Sequence, residues 1–387
     1  MSSNDDTDQL LKSLSEIASK TISESTAMPA KAYHSEDFFL IEKQKLFSRD
    51  WQCAGRADNL CIPGDYLTWK LADQPIFVIK GNDHQLRAFS NICLHRMMPL
   101  LSGNGNIRSI VCPYHAWTYS TDGKLRTCMQ MKQSKILDHD NMQLPEIRLE
   151  VWKGWIYVTL DNTIPPISNL LCELASVVQP YGMENYVSVV QDDFIWNTNW
   201  KILTENFMEG YHLPVVHKKT VGNWFATNKT CFPSNRSVSF TFQTFSKNPD
   251  AIYGGAHPMN KRLIGEQRQT SIMPTVFPAH MYVLAPDHLW YLALNPLGVG
   301  QLGIRFGIAL APEVNNNIQD RKKFISELNT FFDKVNAEDK KIVESIFEST
   351  KAPLAKPGPL SWLEREIHDL IFYLSKRLEY KNEGAKN

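Results

Sequence analysis

Two rhythms of hydrophobic and polar positions run along this chain, and they divide it. Between Trp51 and Leu160, short β-branched and aromatic runs at Tyr66–Lys70, Ile76–Lys80 and Trp155–Leu160 are separated by turn signals such as Gly81-Asn82-Asp83 and Asp122-Gly123. That pattern predicts a small all-β domain. Ahead of it, Phe38, Phe39, Ile41, Phe47 and Trp51 predict an amphipathic helix over 37–51. Residues 1–33 are polar with a weak helical pattern at Leu10, Leu11, Leu14 and Ile17, and are expected to form a flexible arm. The Pro-containing stretch Ile164-Pro165-Pro166-Ile167 marks a junction. Beyond it, Val187–Trp196, Ser237–Ser246, His280–Ala285, Leu289–Asn295 and Leu302–Ala311 predict an antiparallel sheet. Helical spacing follows in Ile325, Leu328, Phe332 and Val335, in Ile342, Val343, Ile346 and Phe347, and over 362–378. The expected organisation is an arm (1–33), an all-β domain with its leading helix (34–161) and a larger α+β domain (162–387).

Trp200, Leu203, Phe207 and Tyr211 recur at spacings of three and four, which predicts a helix from Trp200 to Leu213 with these residues on its buried face. On another face Glu205, Glu209 and His212 are four and three apart and should stack together. Pro214 ends the helix and lets the chain fold back, bringing His217 beside His212. Two imidazoles and one carboxylate with open positions are the ligand set of a non-haem iron(II) oxygenase. The competing reading is an amphipathic helix with two unrelated histidines.

A second constellation lies in the all-β region: Cys93-Leu94-His95-Arg96 and Cys112-Pro113-Tyr114-His115. Each loop offers one thiolate and one imidazole, which matches a Rieske [2Fe-2S] centre, two Cys on one iron and two His on the other. A zinc site is the alternative, although zinc fingers usually group like ligands. Tyr114 and Trp117 could cover the cluster, and Cys53, Cys61, Cys128, Cys172 and Cys231 read as ordinary buried thiols.

Composition narrows the partners. Lys plus Arg and Asp plus Glu both total 41, so the chain has no general attraction for nucleic acid or anionic membrane. The absence of a long apolar run excludes a membrane-spanning helix. An odd count of seven cysteines and a polar N-terminus point to a cytoplasmic protein with reduced thiols.

Taken together, Cys-x-His-Arg, Cys-Pro-Tyr-His and the later Glu-Asn-Phe-Met-Glu-Gly-Tyr-His with its second His resemble a Rieske non-haem iron oxygenase α subunit. The resemblance extends from about Ala32 to the closing segment Trp362-Leu363-Glu364-Arg365-Glu366. It implies a [2Fe-2S] cluster on Cys93, His95, Cys112 and His115, and Fe(II) on His212, His217 and a carboxylate from a late helix. Asp339 is the expected third ligand, with Glu338, Asp333 and Asp320 as rivals. Glu209 and Asn206 are the expected catalytic residues. Glu209 matches the acid that links the iron of one subunit to a cluster histidine of its neighbour. Most members carry Asp there, and Glu resembles the branch acting on carnitine and glycine betaine.

The resemblance further implies a curved sheet gripping helices, a homotrimer, and electrons from NAD(P)H through a separate reductase, with or without a ferredoxin. This chain itself has no dinucleotide fingerprint and no four-Cys ferredoxin motif. The implied reaction uses O2 to hydroxylate or N-demethylate a quaternary ammonium substrate. An aromatic-ring dioxygenase is the alternative, and a Rieske electron carrier the third. Phe207, Tyr211, Trp224, Phe240, Phe242, Tyr282, Trp290 and Tyr291 are candidates for a cation–π cage. The family usually has Gly where this chain has Met97 and Ala116, so a need for positive φ there would rearrange or strain the cluster loops.

Overall fold

The computed structural model describes residues 3–222 and 224–379. It separates into two compact units, Ser48–Ile167 and a larger one combining Met1–Phe47 with Ser168–Asn387. The leading helix therefore belongs with the larger unit, not with the all-β domain as expected. Its α-helical part is Glu36–Glu42, capped by Ser35, and it continues as a π-helical turn over Lys43–Phe47. The expected arm also forms structure. Ser3–Ser19 is a helix packed on Arg365–Arg377, and Leu10, Leu11, Leu14 and Ile17 are buried. Its weak pattern becomes a real apolar face because a distant helix supplies the partner.

The smaller unit is a seven-stranded antiparallel sheet, in the order Gln52–Arg56, Trp155–Thr159, Glu146–Trp152, Leu86–Ser90, Gln74–Lys80, Asp65–Leu71 and Asn104–Asn106. A three-stranded sheet of Ile110–Val111, Thr118–Tyr119 and Leu125–Thr127 joins it. Between them lies a core containing Phe77, Ile79, Phe89, Ile110, Trp117 and Tyr119, which also takes in Cys93 and Cys112.

The larger unit is built on a second seven-stranded sheet. Its order is Val187–Trp196, Gln301–Leu310, His288–Gly298, His280–Leu284, Thr270–Val276, Phe240–Lys247 and Phe225–Cys231. Thr270–Val276 and Phe225–Cys231 were not expected as strands. The first carries Pro274, which ordinarily argues against a central strand. Here Pro274 faces Phe242 on one side and falls in a gap of the pairing to His280–Leu284 on the other.

The two late helical patterns are one 30-residue helix, Arg321–Thr350, capped by Asp320 through the Lys323 amide at 3.0 Å. Its buried positions Leu328, Phe332, Val335, Asn336 and Val343 recur at helical spacing, and Asp339 lies on the same face. Among the described residues no helix is long and apolar enough to cross a membrane.

Candidate functional site

The helix that carries the first ligands runs only from Trp200 to Met208. Asn199 caps it by accepting from the Lys201 amide at 3.0 Å, and almost every side chain is buried. Lys201 is fully buried and donates to Glu42 at 2.6 Å, while the Trp200 indole donates to the same carboxylate at 3.0 Å. A buried charge of this kind needs such a partner.

At Glu209 the backbone turns extended (φ −120°, ψ 144°), so the helix ends five residues earlier than expected. Pro214 does not end the long helix. It sits in the first turn of a separate short helix, Leu213–Val216, where its missing donor costs nothing. Gly210 permits the break, since a Cβ there would meet the Phe245 ring at 3.0 Å. Gly222 closes the far side, where a Cβ would stand 2.5 Å from the Leu213 carbonyl oxygen. Tyr211, expected on the buried face, is consequently 60% exposed.

Glu209 and His212 still meet, but through this turn. The Glu209 carboxylate accepts from the Tyr211 amide, from the His212 amide at 3.0 Å, and from His212 Nδ1 at 2.5 Å. His217 Nδ1 pairs with Glu338 at 2.8 Å, and Thr220 donates to the same carboxylate oxygen at 2.7 Å. Both imidazoles thus spend Nδ1 on a carboxylate, and both Nε2 atoms converge on Asp339 Oδ1, at 3.7 Å for His212 and 3.0 Å for His217. Ligand atoms of His212, His217 and Asp339 all lie within 4.8 Å of one another. This is the arrangement of metal-binding histidines oriented by outer carboxylates, and it fits a single divalent metal. Burial alone would pull the His217 imidazole down, but Asp339 and Glu338 outweigh it and hold the metal-free imidazole above its ordinary range.

Of the rival acids, Glu338 serves His217 from behind, and Asp320 caps the helix end. Asp333 contacts Asn329. A chamber opens beside the three residues, lined by Trp196, Asn206, Phe207, Leu213, Trp290 and Leu292 among others. Asn206 is therefore at the site as expected. From the aromatic candidates only Phe207 and Trp290 line the chamber, joined by Trp196, which was not foreseen. Phe240, Tyr282 and Tyr291 are buried in the sheet. Trp224 stacks on Phe331 with centroids 4.9 Å apart.

Glu205 does not join Glu209. It accepts instead from the Tyr33 hydroxyl at 2.9 and 3.0 Å. Burial pushes its pKa up to about 8, against the opposing pull of Tyr33 and Lys201. At neutral pH the folded protein keeps this proton while the unfolded chain has lost it. Stability conferred by the protonated group is complete below the ordinary carboxyl range and lost as pH rises towards about 8. Glu205→Gln should flatten that decline, read as melting temperature from about pH 5 to about pH 9. An unchanged slope would place Glu205 outside this role.

In the smaller unit the two Cys/His loops share one backbone design. Cys93 N–H donates to the Met98 carbonyl at 2.8 Å and Met97 N–H to Cys93 at 3.1 Å; Cys112 N–H donates to Trp117 at 2.8 Å and Ala116 N–H to Cys112 at 3.0 Å. Met97 and Ala116 both have φ of 56°. The loops thus keep the left-handed turn without glycine, at a cost of about 1–2 kcal/mol each. The thiols of Cys93 and Cys112 are buried, whereas His95 is half-buried and His115 exposed, with ring centroids 4.7 Å apart. Nδ1 of His95 is buried and lacks any hydrogen-bond partner, as a nitrogen reserved for a metal would be. Tyr119 Oη lies 3.3 Å from Cys93 Sγ. Trp117 stacks on His95 and Tyr114 packs on His115, so the expected aromatic cover is present. The donor set fits a [2Fe-2S] cluster. Of the remaining cysteines only Cys53 is buried; Cys61, Cys172 and Cys231 are exposed and Cys128 is intermediate, correcting the expectation for them.

A curved antiparallel sheet holding a helix-borne 2-His-1-carboxylate set, with a separate all-β unit presenting a 2-Cys-2-His set, defines the class of Rieske-type oxygenase α subunits. Residues 183–379 match the family model described as ring hydroxylating alpha subunit (catalytic domain), and residues 50–148 match the Rieske [2Fe-2S] domain. The chain belongs to the ring-hydroxylating alpha subunit family. It is 32% identical over 197 residues to the carnitine monooxygenase oxygenase subunit of Acinetobacter pittii, covering 49% of this chain and 52% of that protein. To the glycine betaine monooxygenase oxygenase subunit of Pseudomonas aeruginosa it is 33% identical over 204 residues, 52% of this chain and 47% of that one. The match therefore spans about half the length of these relatives. A solved quaternary ammonium Rieske monooxygenase, described for carnitine oxidation and inter-subunit electron transfer, shares the fold with a TM-score of 0.78 and 22% identity. That match covers 92% of this chain and 96% of that one.

Proposed function

We propose that this chain is the terminal oxygenase component of a system that hydroxylates or N-demethylates a small quaternary ammonium substrate such as an N-methyl betaine. The observation that carries the reading is the convergence of both His Nε2 atoms on Asp339 beside a chamber walled by Trp196, Phe207 and Trp290. Iron(II) on His212, His217 and Asp339 would supply O2 activation, and a [2Fe-2S] cluster on Cys93, His95, Cys112 and His115 would supply the electrons.

The chain's own residues do the rest. Glu209 and Glu338 hold the two imidazoles in the tautomer that leaves Nε2 free for the metal. The aromatic walls exclude water and offer ring faces to a cation that has no proton to donate. Asn206 stands at the chamber as a polar group able to orient substrate. Electrons would come from NAD(P)H through a separate reductase, and Glu209 would link the iron of one subunit to the cluster of the next in a homotrimer. The named relatives act on carnitine and glycine betaine, which supports the substrate class over an aromatic ring. A cytoplasmic location accords with the reduced thiols this chemistry needs.

Reduced protein should give the rhombic, low-average-g paramagnetic resonance signal of a His-ligated [2Fe-2S] centre, with inorganic sulfide and one further iron per chain. Stoichiometric zinc without sulfide would exclude it.

A further inference from the structure

The break in the site helix at Met208 has a specific cause outside the helix. In an unbroken helix the Met208 carbonyl would accept from the amide of His212, but that amide donates to Glu209 at 3.0 Å. The orphaned carbonyl is taken instead by Nε2 of Gln243, which reaches in from strand Phe240–Lys247. Phe245, on the same face of that strand, packs against Gly210. One strand thus grips the turn on both sides of Glu209.

Nε2 gives one of its two N–H groups to Met208, while Oε1 of the same amide is left to its other neighbour. That neighbour is Glu366, on helix Arg365–Arg377. Gln243 and Glu366 are both completely buried, and Gln243 Oε1 and the two Glu366 oxygens have no hydrogen-bond partner. The nearby cation is committed elsewhere, because Arg365 donates to Asp369 at 3.0 Å. An ionised Glu366 would leave Gln243 Oε1 and at least one carboxylate oxygen unsatisfied out of water, at a cost of about 1–3 kcal/mol or more each. A single proton on the carboxyl converts this deficit into a hydrogen bond to Oε1. Burial, reinforced by the Asp369 charge, drives the Glu366 acid in that direction and outweighs the opposing pull of the Gln243 amide and Arg365.

We propose that Glu366 is kept as a neutral carboxylic acid donating to Gln243 Oε1, and that this pair sets the turn presenting Glu209 and His212. Both are positioning residues, since neither touches the ligand set. The part concerning Glu209 rests on the function proposed above; the protonation of Glu366 does not.

Two measurements on the full-length protein carrying both metal centres test it. The infrared difference spectrum of wild type minus Glu366→Gln should contain a protonated-carboxyl C=O band at neutral pH, and its absence would overturn the neutral acid. In single turnovers with O2 and glycine betaine, Gln243→Leu should reoxidise the reduced cluster about tenfold more slowly at unchanged iron and sulfide content. Glu366→Gln, which preserves a donor to Oε1, should stay within about twofold of wild type, while Glu366→Leu follows Gln243→Leu. A purely structural role would lower metal content or melting temperature without this split. Wild-type rates in Gln243→Leu, or a Glu366→Gln protein as slow as Glu366→Leu, would overturn the positioning role. Should Gln243→Leu not fold, the two Glu366 variants and the infrared band decide. A wild-type cluster that never reoxidises with substrate would count against the oxygenase reading alone, leaving the infrared result intact.

Discussion

Replacing His212 by alanine is expected to lower substrate-dependent turnover by at least ~100-fold, beyond the loss typical of outer-shell partners, while leaving the cluster spectrum unchanged. The substitution removes one of the three donors that converge within 4.8 Å and leaves His217 and Asp339 with too few ligands to hold the metal. It also frees Glu209, whose carboxylate spends one of its oxygens on His212 Nδ1. The cluster loops lie in the other compact unit, Ser48–Ile167, with their own core around Phe77, Phe89 and Tyr119. Iron content and the cluster's resonance signal, measured on one sample, check this directly. Joint loss of both centres would mean that the substitution unfolds the chain or that the assignment is wrong.

The second large effect concerns assembly. If electrons cross from the cluster of one subunit to the iron of its neighbour, His115→Ala and His212→Ala chains are each inactive alone but complement one another when co-assembled. In a head-to-tail ring formed from equal amounts, a working junction needs an intact cluster beside an intact iron site in one direction, so about one quarter of wild-type activity should return. Glu209→Ala should slow iron reduction by ~10- to 100-fold with both metals bound. Its carboxylate is the group behind His212 and lies at the turn rather than in the ligand set. Mixed assemblies with no activity, or a Glu209→Ala protein with normal rates, would contradict the inter-subunit route.

What the sequence revealed and what it hid follow from how local each feature is. The Cys/His loops were legible because all four donors sit within two short segments whose chemistry is self-contained. His212 and His217 were legible for the same reason, although the geometry joining them was misread. A helix continuing to Leu213 is the natural reading of Trp200, Leu203, Phe207 and Tyr211. It fails because Gln243 and Phe245, more than thirty residues later, take the Met208 carbonyl and press on Gly210. Glu205 shows the converse. Its four-residue spacing from Glu209 suggested one cluster, but the helix ends at Met208 and Glu205 pairs with Tyr33 instead. The helix over 3–19 was concealed because its apolar face needs Arg365–Arg377, at the far end of the chain. Asp339 came from the family resemblance, and the positions packed around it show why it works. Val335, Asn336 and Val343 are buried on the same helix face and aim it inward.

Left-handed Met97 and Ala116 make a related point. Both residues adopt the left-handed conformation themselves, within turns closed by the paired hydrogen bonds at Cys93 and Cys112. The strain is carried by the residues rather than relieved by the fold.

An oxygenase whose aromatic chamber takes a quaternary ammonium group should turn over when the holoprotein is supplied with electrons from an NAD(P)H-dependent reductase. Oxygen uptake and product mass are then followed over a panel of betaines and aromatic acids. An N-methyl betaine is expected to stimulate oxygen uptake, with formaldehyde or a hydroxylated product formed in step with it. A cis-diol from an aromatic acid, with no response to any betaine, would contradict that expectation.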